Sequence, residues 1–157
     1  MRAKSGCFGI LLAIFSGRDS RHPDAGRYSS RSILTPSERS FFGVLEMAVG
    51  GRFHIFTKVR LADLLKVETR SGWRSHFNRI ASKHVDFVIC EPGSLAVMCV
   101  VELDDSSHKN ASSKSSDLFK DHAFASAGVR LIRISVRRGY SVSDLKEQLF
   151  PVIGKSL

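Results

Sequence analysis

The chain has 157 residues, of which 43% are hydrophobic and 25% charged, and its formal net charge is +9. This length is enough for one domain with a real core and leaves little room for a second. The positive charge favours a polyanionic partner, either nucleic acid or an anionic membrane surface, although many basic domains bind neither.

The N-terminal segment contains an apolar run, Cys7–Phe15, that follows Arg2 and Lys4 like the core of a signal peptide. The run is shorter than the roughly 20 residues that span a bilayer, and no small-x-small cleavage site follows it. We predict that residues 1–32 are a leader and a basic flexible linker, and that residues 33–157 form the folded domain. The cysteines have no zinc-site spacing and indicate a reducing, cytoplasmic compartment, with membrane association through residues 7–15 as the alternative.

The first predicted helix has a clear beginning and end. Thr35 is a suitable N-cap, Pro36 suits the first turn, and Glu38 lies at the spacing of a capping box. Gly50 and Gly51 end the helix.

The remaining elements alternate between strand and helix patterns. Residues 53–58 alternate as a strand and continue into a short helical or irregular piece, and residues 72–84 form a basic, partly helical connection. Next come two strands (85–90 and 95–105) joined as a hairpin by the turn 91–94, a polar loop (106–116), a helix (117–128), a strand (129–136) and a helix capped by Ser141 or Ser143. The order helix, three-stranded meander, helix, strand, helix predicts an α/β fold in which helices flank a mixed central β-sheet.

The second hairpin strand ends in carboxylates, with Glu102 and Asp104 on the same face as Val100. A three-residue turn would pair Asp86 with Val100 and place Glu102 diagonally from Asp86, at roughly 7–8 Å. A four-residue turn without a bulge would put the two acids on opposite faces. Converging acids need a cation, and hard oxygen ligands suit Mg²⁺ or Mn²⁺. The alternative is that Asp86 forms a salt bridge near a strand end, and that Asp104 and Asp105 open a turn.

Three stretches together carry a family resemblance: "VDFVIC", "ELDDSSH" and "DLFKDHAFASAGVRLIRI". They resemble the PD-(D/E)XK restriction-endonuclease-like superfamily, and most closely its branch of very-short-patch-repair-type endonucleases and a related uncharacterised bacterial domain family. The opening "LTPSERSFFGVLEMA" is also similar, so that the resemblance covers Leu34–Leu149. It implies a restriction-endonuclease-like core, which agrees with the predicted order of elements.

The resemblance implies a metal site for Mg²⁺ or Mn²⁺. Asp86 and Glu102 match the metal-binding acids, and the main-chain carbonyl of Leu103 would complete the shell. Asp104 stands where most members have lysine, although the related branch carries an acid there. His108 is then the candidate general base, or the group that positions the hydrated metal, unless it is an ordinary loop histidine.

Several further residues are candidates for supporting roles. Glu38 lies where some members place an additional acid, but its capping-box spacing favours a structural role equally. Lys120 could face the site or a phosphate, and Arg133 could pair with an acid or bind phosphate. Asp117 is expected to have a structural role at a helix N-terminus. Two loop cations are expected to contact a nucleic-acid backbone, Lys109 and Lys114.

These expectations give a first hypothesis, a metal-dependent nuclease that hydrolyses phosphodiester bonds of DNA. The second hypothesis is a catalytically inactive, nuclease-like module that binds nucleic acid, favoured by the absence of a lysine at position 104. A membrane-associated interaction protein is the third and rests only on the leader and the linker.

Overall fold

The computed structural model of the chain describes residues 27–104 and 111–154, and of residues 111–113 it describes the backbone alone. The chain divides into two units, Met1–Arg31 and Ser32–Leu157, and the elements below all belong to the second. The apolar run Cys7–Phe15 lies outside the described residues. None of the helices in the described ranges is long and apolar enough to cross a bilayer.

The second unit alternates helices and strands in the predicted order. Its helices within the described ranges are α1 (Pro36–Val49), α2 (Leu61–Leu64), α3 (Trp73–Ala81), α4 (Ala111–Ser126) and α5 (Val142–Ile153). Its strands are β1 (His54–Arg60), β2 (His84–Cys90), β3 (Val97–Asp104) and β4 (Arg130–Ser135). The prediction of a mixed α/β fold is therefore confirmed, with α2 and α3 inserted between the first two strands.

The four strands form one sheet in the order β1-β2-β3-β4. The first three are antiparallel neighbours and make the predicted meander. β4 lies parallel to β3, which is possible because α4 carries the chain back across the sheet. The sheet is therefore mixed, as predicted.

Each face of the sheet has its own apolar core. In the α1–α5 core, Phe87 and Val101 pack against residues of α1 and α5; in the α4 core, Val88 and Val100 pack against residues of α2, α3 and α4. Adjacent residues of β2 and β3 thus serve opposite faces, which is why these strands read as continuous apolar runs. The helical residues of the α1–α5 core include Phe41, Leu45, Leu145 and Leu149, and those of the α4 core Leu61, Ile80 and Phe124.

The predicted start of α1 is confirmed in detail. The Thr35 hydroxyl accepts a hydrogen bond from the Glu38 amide, and Glu38 Oε2 accepts one from the Thr35 amide at 2.9 Å. Gly50 ends the helix in the left-handed region at φ 62°. This reciprocal cap satisfies two amides that the helix itself leaves unpaired and fixes the Glu38 side chain over the first turn.

The hairpin does not have the three-residue turn that would pair Asp86 with Val100; a longer connection and a bulge, which was the alternative, set its register instead. Val88, not Asp86, pairs with Val100, because the connection is longer than three residues and Cys90 pairs with Val97. The register shifts between Ile89 and Cys90, which leaves Met98 as an extra residue of β3. If Met98 were paired in a regular ladder instead of bulging out, Val88 would face Cys99 and residues of the two cores would be mixed.

The turn itself is held by one acidic side chain. The Glu91 carboxylate accepts hydrogen bonds from the Gly93 and Ser94 amides at 2.9 and 2.6 Å, and from the Ser94 hydroxyl at 2.7 Å. These bonds lower the pKa of Glu91. The turn thus has its own hydrogen-bonded structure, which the sequence pattern of alternating residues did not reveal.

Helix α4 begins at Ala111, six residues earlier than predicted. The stretch that reads as a polar loop contains neither glycine nor proline after Ala111, so nothing in it prevents a helix that is anchored further on by Phe124. Asp117 consequently lies in the second turn of α4, and its expected place at the helix N-terminus is wrong. Gly128, at φ 69°, follows the end of the helix as predicted.

Candidate functional site

An open cleft of about 470 Å³ lies where β2 begins and β3 ends, beside α4. The acids that line it come from three elements: Asp86 from β2, Glu102 and Asp104 from β3, and Asp117 from α4. Its cations are Lys83, Lys120 and Arg133. Acidic and basic side chains therefore share one concave surface, and five of them were predicted as site residues from the sequence: Asp86, Glu102, Asp104, Lys120 and Arg133.

Glu102 occupies the floor of this cleft. Among the described residues it is the one charged side chain that is buried, with 5% of its surface exposed. It forms ion pairs with Lys120 and, at 3.1 Å, with Arg133. The parallel register places Arg133 directly beside Glu102, while α4 brings Lys120 over it. A buried carboxylate is costly unless it is paired, and these two cations provide that compensation.

Arg133 connects Glu102 to two acids of α4. Its guanidinium lies 3.4 Å from the Asp117 carboxylate and 2.8 Å from that of Asp121. Burial alone would lower the pKa of Arg133, but Asp121, Glu102 and Asp117 together raise it. Asp117 is thus a partner of Arg133 in the second turn of α4, and not a carboxylate at the helix N-terminus.

Asp86 holds the point at which β2 and β3 separate. Pairing between the strands ends at Phe87 and Val101, and beyond it the Leu103 amide donates to Asp86 Oδ2 at 3.0 Å. The other carboxylate oxygen of Asp86 accepts from the Lys58 ammonium at 2.8 Å. The side chain of Asp86 thus takes a hydrogen bond that a regular ladder would give to backbone, and opens the sheet at the cleft.

Lys58 is a site residue that sequence reasoning missed. Its ammonium lies between two carboxylates, 2.7 Å from Glu38 and 2.8 Å from Asp86. Its backbone is left-handed, at φ 56°, in the middle of β1. The pairing of β1 with β2 passes from Thr57 to Val59 and skips it. Such a conformation costs roughly 1–2 kcal/mol for a residue with a side chain, and strain of this kind is concentrated at functional sites.

The charges on these groups are set by one another. Burial alone would raise the pKa of Glu38, but the ammonium of Lys58 and the cap bonds from Thr35 lower it. Burial alone would lower the pKa of Lys58, but Asp86 and Glu38 raise it. Glu38 is therefore an anion and Lys58 a cation across the neutral range, and Glu38 serves the helix cap and the ion pair at once.

Of the other predicted site residues, two are described by the structure and two are not. Asp104 lines the cleft next to Leu103, and its backbone carbonyl accepts from the Val136 amide at 3.0 Å. Lys114 is exposed on α4 and is not among the residues that line the cleft. Both His108 and Lys109 lie outside the described residues.

The family model described as "Protein of unknown function (DUF2726)" matches residues 30–152. The chain belongs to this family. No curated protein and no solved structure matches the chain significantly. The DUF2726 domain spans the whole sheet and the sequence from Glu38 to Arg133, so the cleft is formed within it.

The donor atoms of the DUF2726 cleft fit a hard divalent cation in kind. Asp86 and Glu102 offer carboxylate oxygens, and Leu103 lines the same cleft. Within residues 27–104 and 111–154, no three His, Cys, Asp or Glu side chains converge as a ready-made metal site. Mg²⁺ commonly binds through only one or two carboxylates and keeps several waters. The site therefore fits an ion that is bound partly by water and substrate. It does not provide enough protein ligands to surround an ion completely.

Proposed function

We propose that this DUF2726 domain is a metal-dependent nuclease that hydrolyses phosphodiester bonds of DNA. The observation that carries the proposal is the arrangement of Asp86 and Glu102, two acids from neighbouring strands that line one cleft together with cations. The resemblance to the PD-(D/E)XK superfamily leads to the same pair of acids and the same order of elements. Cleft, charge and resemblance thus support one reaction class.

The residues of the cleft have separable roles in such a reaction. Asp86, Glu102 and the Leu103 carbonyl would hold Mg²⁺ or Mn²⁺, which supplies an activated water and neutralises charge at the phosphate. Lys120 and Arg133, already gathered at Glu102, would bind the phosphate oxygens beside the scissile bond. His108, next along the chain, is the candidate base for the attacking water.

Lys58 can supply the positive charge that is missing at position 104. Most members of the resembled superfamily place a lysine there, and this chain has Asp104 instead. The ammonium of Lys58 lies 2.8 Å from Asp86, one of the two proposed metal-binding acids, and comes from the neighbouring strand β1. A cation at that distance can stabilise the transition state once substrate enters, whichever strand it comes from. We therefore include Lys58 among the groups that support catalysis.

The test is cleavage of supercoiled plasmid, linear duplex and single-stranded DNA with Mg²⁺ or Mn²⁺. Wild type should cut at least one of these, and EDTA should abolish cutting. Glu102→Gln keeps the shape of the side chain, removes its charge and should reduce the rate at least about 100-fold. Glu147→Gln, an exposed acid of α5, is the matched control and should cut like wild type.

A second readout does not depend on activity. A divalent ion that binds only the folded protein raises its melting temperature, and one present at 100 times its Kd adds about 2.7 kcal/mol. Mn²⁺ should therefore stabilise wild type and Glu147→Gln but not Glu102→Gln. Equal stabilisation of all three proteins, with no cutting, would contradict the proposal.

A second candidate function is a catalytically inactive module that binds nucleic acid. One observation favours it: Asp86 and Glu102 are both already neutralised by side chains, through Lys58, Lys120 and Arg133. A cleft that is balanced in this way needs no metal to be stable. This candidate predicts DNA binding that is indifferent to Mg²⁺ and Mn²⁺, with no cleavage of any DNA form.

We also infer a reducing, cytoplasmic location. Cys90 and Cys99 are both free and buried, and burial raises the pKa of the Cys99 thiol to about 12. Thiols of this kind behave as small apolar side chains and make no use of an oxidising compartment.

A further inference from the structure

The stretch from Thr69 to Val85, called here the basic segment, has an unusual charge composition. It contains four lysines and arginines, two histidines and no acidic residue. Helix α3 forms its centre and is exposed along nearly its whole length, with Ile80 as its buried anchor. The side chains of this helix are therefore available to a partner, and their charge favours an anionic one.

Two aromatic rings lie on the exposed surface of this helix. Trp73 and Phe77, one turn apart, are stacked with 5.0 Å between their centroids and 10° between their planes. They remain 48% and 37% exposed, respectively. Rings of this size normally contribute to a core, but these two contribute to neither core of the domain. Part of each ring therefore remains available for contact with a planar ligand.

The basic segment leads directly into the cleft. The Arg79 guanidinium lies 4.3 Å from the centroid of the Phe119 ring, and the Lys83 ammonium lies 5.7 Å from it, so both cations rest on α4. Lys83 also lines the cleft. From Trp73 to Ser82 the helix rises by about 13 Å at 1.5 Å per residue. Stacked nucleotides, spaced by about 3.4 Å, would cover that distance in about four steps.

We propose that Trp73 and Phe77 form a stacking platform for the unpaired bases of single-stranded DNA, and that the cations of the basic segment hold its phosphates along the path to the cleft. Bases inside a duplex are covered on both sides by their neighbours, so a free aromatic face selects bases that are unpaired. A membrane-surface helix buries a broad apolar face in the lipid, whereas α3 has nine residues and exposes two large hydrophobic side chains, Trp73 and Phe77. The proposal rests on the proposed nuclease function in one respect only: that function makes the cleft the place to which the single-stranded DNA is led.

The chain carries its own reporter for this contact, because Trp73 is its single tryptophan. The first measurement is the fluorescence of Trp73 during titration with a 12-nucleotide oligothymidylate in EDTA, where no cleavage occurs. A base that stacks on the indole should quench its emission. A hairpin duplex of the same charge should bind with much less quenching.

Variants then separate stacking from charge. Trp73→Ala and Phe77→Ala should each weaken binding of the labelled single strand by about 5- to 150-fold, measured by fluorescence anisotropy. Both should bind the duplex within about twofold of wild type, because all four cations remain. Trp73→Phe keeps an aromatic ring and should retain most of the affinity. Phe56→Ala removes an aromatic of similar exposure from β1 and is the matched control.

Several outcomes would overturn the proposal. One is unchanged Trp73 emission on binding; another is an equal loss of single-strand and duplex affinity in the alanine variants. Tighter binding of a 12-nucleotide RNA, or quenching by phosphatidylserine vesicles in place of DNA, would assign the surface to another partner. Because all titrations use EDTA, their failure is distinct from a failure of the proposed nuclease activity, which only the cleavage assay measures.

Discussion

At the scale of single residues, Lys58 is the clearest case of a strained backbone held in place by charge. A left-handed lysine in a strand is unfavourable, yet here it aims one ammonium at Glu38 and Asp86, which belong to different elements. Without that ammonium the two carboxylates would be neighbours with no compensating charge. The strain is therefore offset by two ion pairs, and the same geometry places a cation beside the cleft.

Replacement of this lysine should be costly. Lys58→Met leaves Glu38 and Asp86 partly buried without their cation, and we expect the free energy of unfolding to fall by about 1–3 kcal/mol. Urea denaturation followed by circular dichroism measures this. Lys66→Met removes one member of an exposed ion pair with Glu68, and as the control it should change stability by less than about 1 kcal/mol.

The pH dependence of that difference follows from the two pKa shifts. Folding lowers the pKa of Glu38 below 4.5, so its contribution is present above pH 4.5 and is lost as the pH falls through the folded value. Folding raises the pKa of Lys58 above 10.5, so its contribution is lost only as the pH rises beyond that. The stability difference between wild type and Lys58→Met should therefore be largest between these limits and shrink in acid. A difference that does not change down to pH 3 would show that Lys58 acts by packing alone.

At the scale of elements, the sequence predicted what depends on local chemistry and missed what depends on distant contacts. The cap of α1 is encoded within four residues, from Thr35 to Glu38, and was predicted correctly. The register of β2 and β3 depends on a bulge at Met98, and no local sequence pattern predicts the position of that bulge. Lys58 was missed for the same reason, since its left-handed backbone is stabilised by acids 20 and 28 residues away. Glu102, Lys120 and Arg133 were each candidates from the sequence, but their ion pairs at one site became evident only in the structure, because they join β3, α4 and β4.

The bulge has a definite function in the sheet. Met98 and Cys99 both pack in the α1–α5 core, whereas Val97 and Val100 pack in the α4 core. The extra residue shifts the register after Val97, so that the residues of β3 from Cys99 onward alternate between the two cores in step with those of β2. It thereby keeps Glu102, two residues after Val100, on the side of the sheet where α4 brings Lys120.

Two single-residue deletions test this account. Deletion of Met98 leaves Val97 and Cys99 as regular neighbours, so the fold should survive with a loss of about 1–2 kcal/mol from the missing side chain. Deletion of Val101 moves Glu102 into an apolar position next to Phe87 and should prevent folding. Thermal denaturation and amide NMR spectra distinguish the two outcomes. Similar behaviour of the two variants would mean that the register is set elsewhere.

At the scale of the whole molecule, positive charge is distributed unevenly. In the cleft, acids and cations are paired, as Glu102 is with Lys120 and Arg133. In the basic segment, residues 69–85, four cations stand without a single acid in the same stretch. Neutralised charges attract phosphate weakly, so the basic segment should provide most of the electrostatic attraction for DNA. The net charge of +9 alone would not distinguish these two surfaces.

The salt dependence of binding measures how many of these cations meet phosphates. Each phosphate neutralised on a single strand contributes about −0.7 to the slope of log affinity against log salt, so four cations give about −3. Arg74→Gln, on the exposed face of α3, should make that slope less steep by about 0.7. Lys146→Gln, equally exposed on α5, should leave it unchanged. Both substitutions lower the net charge by one. An equal change of the slope in the two variants would therefore mean that DNA responds to the charge of the whole molecule. A change of the slope in Arg74→Gln alone would locate the contact on the basic segment.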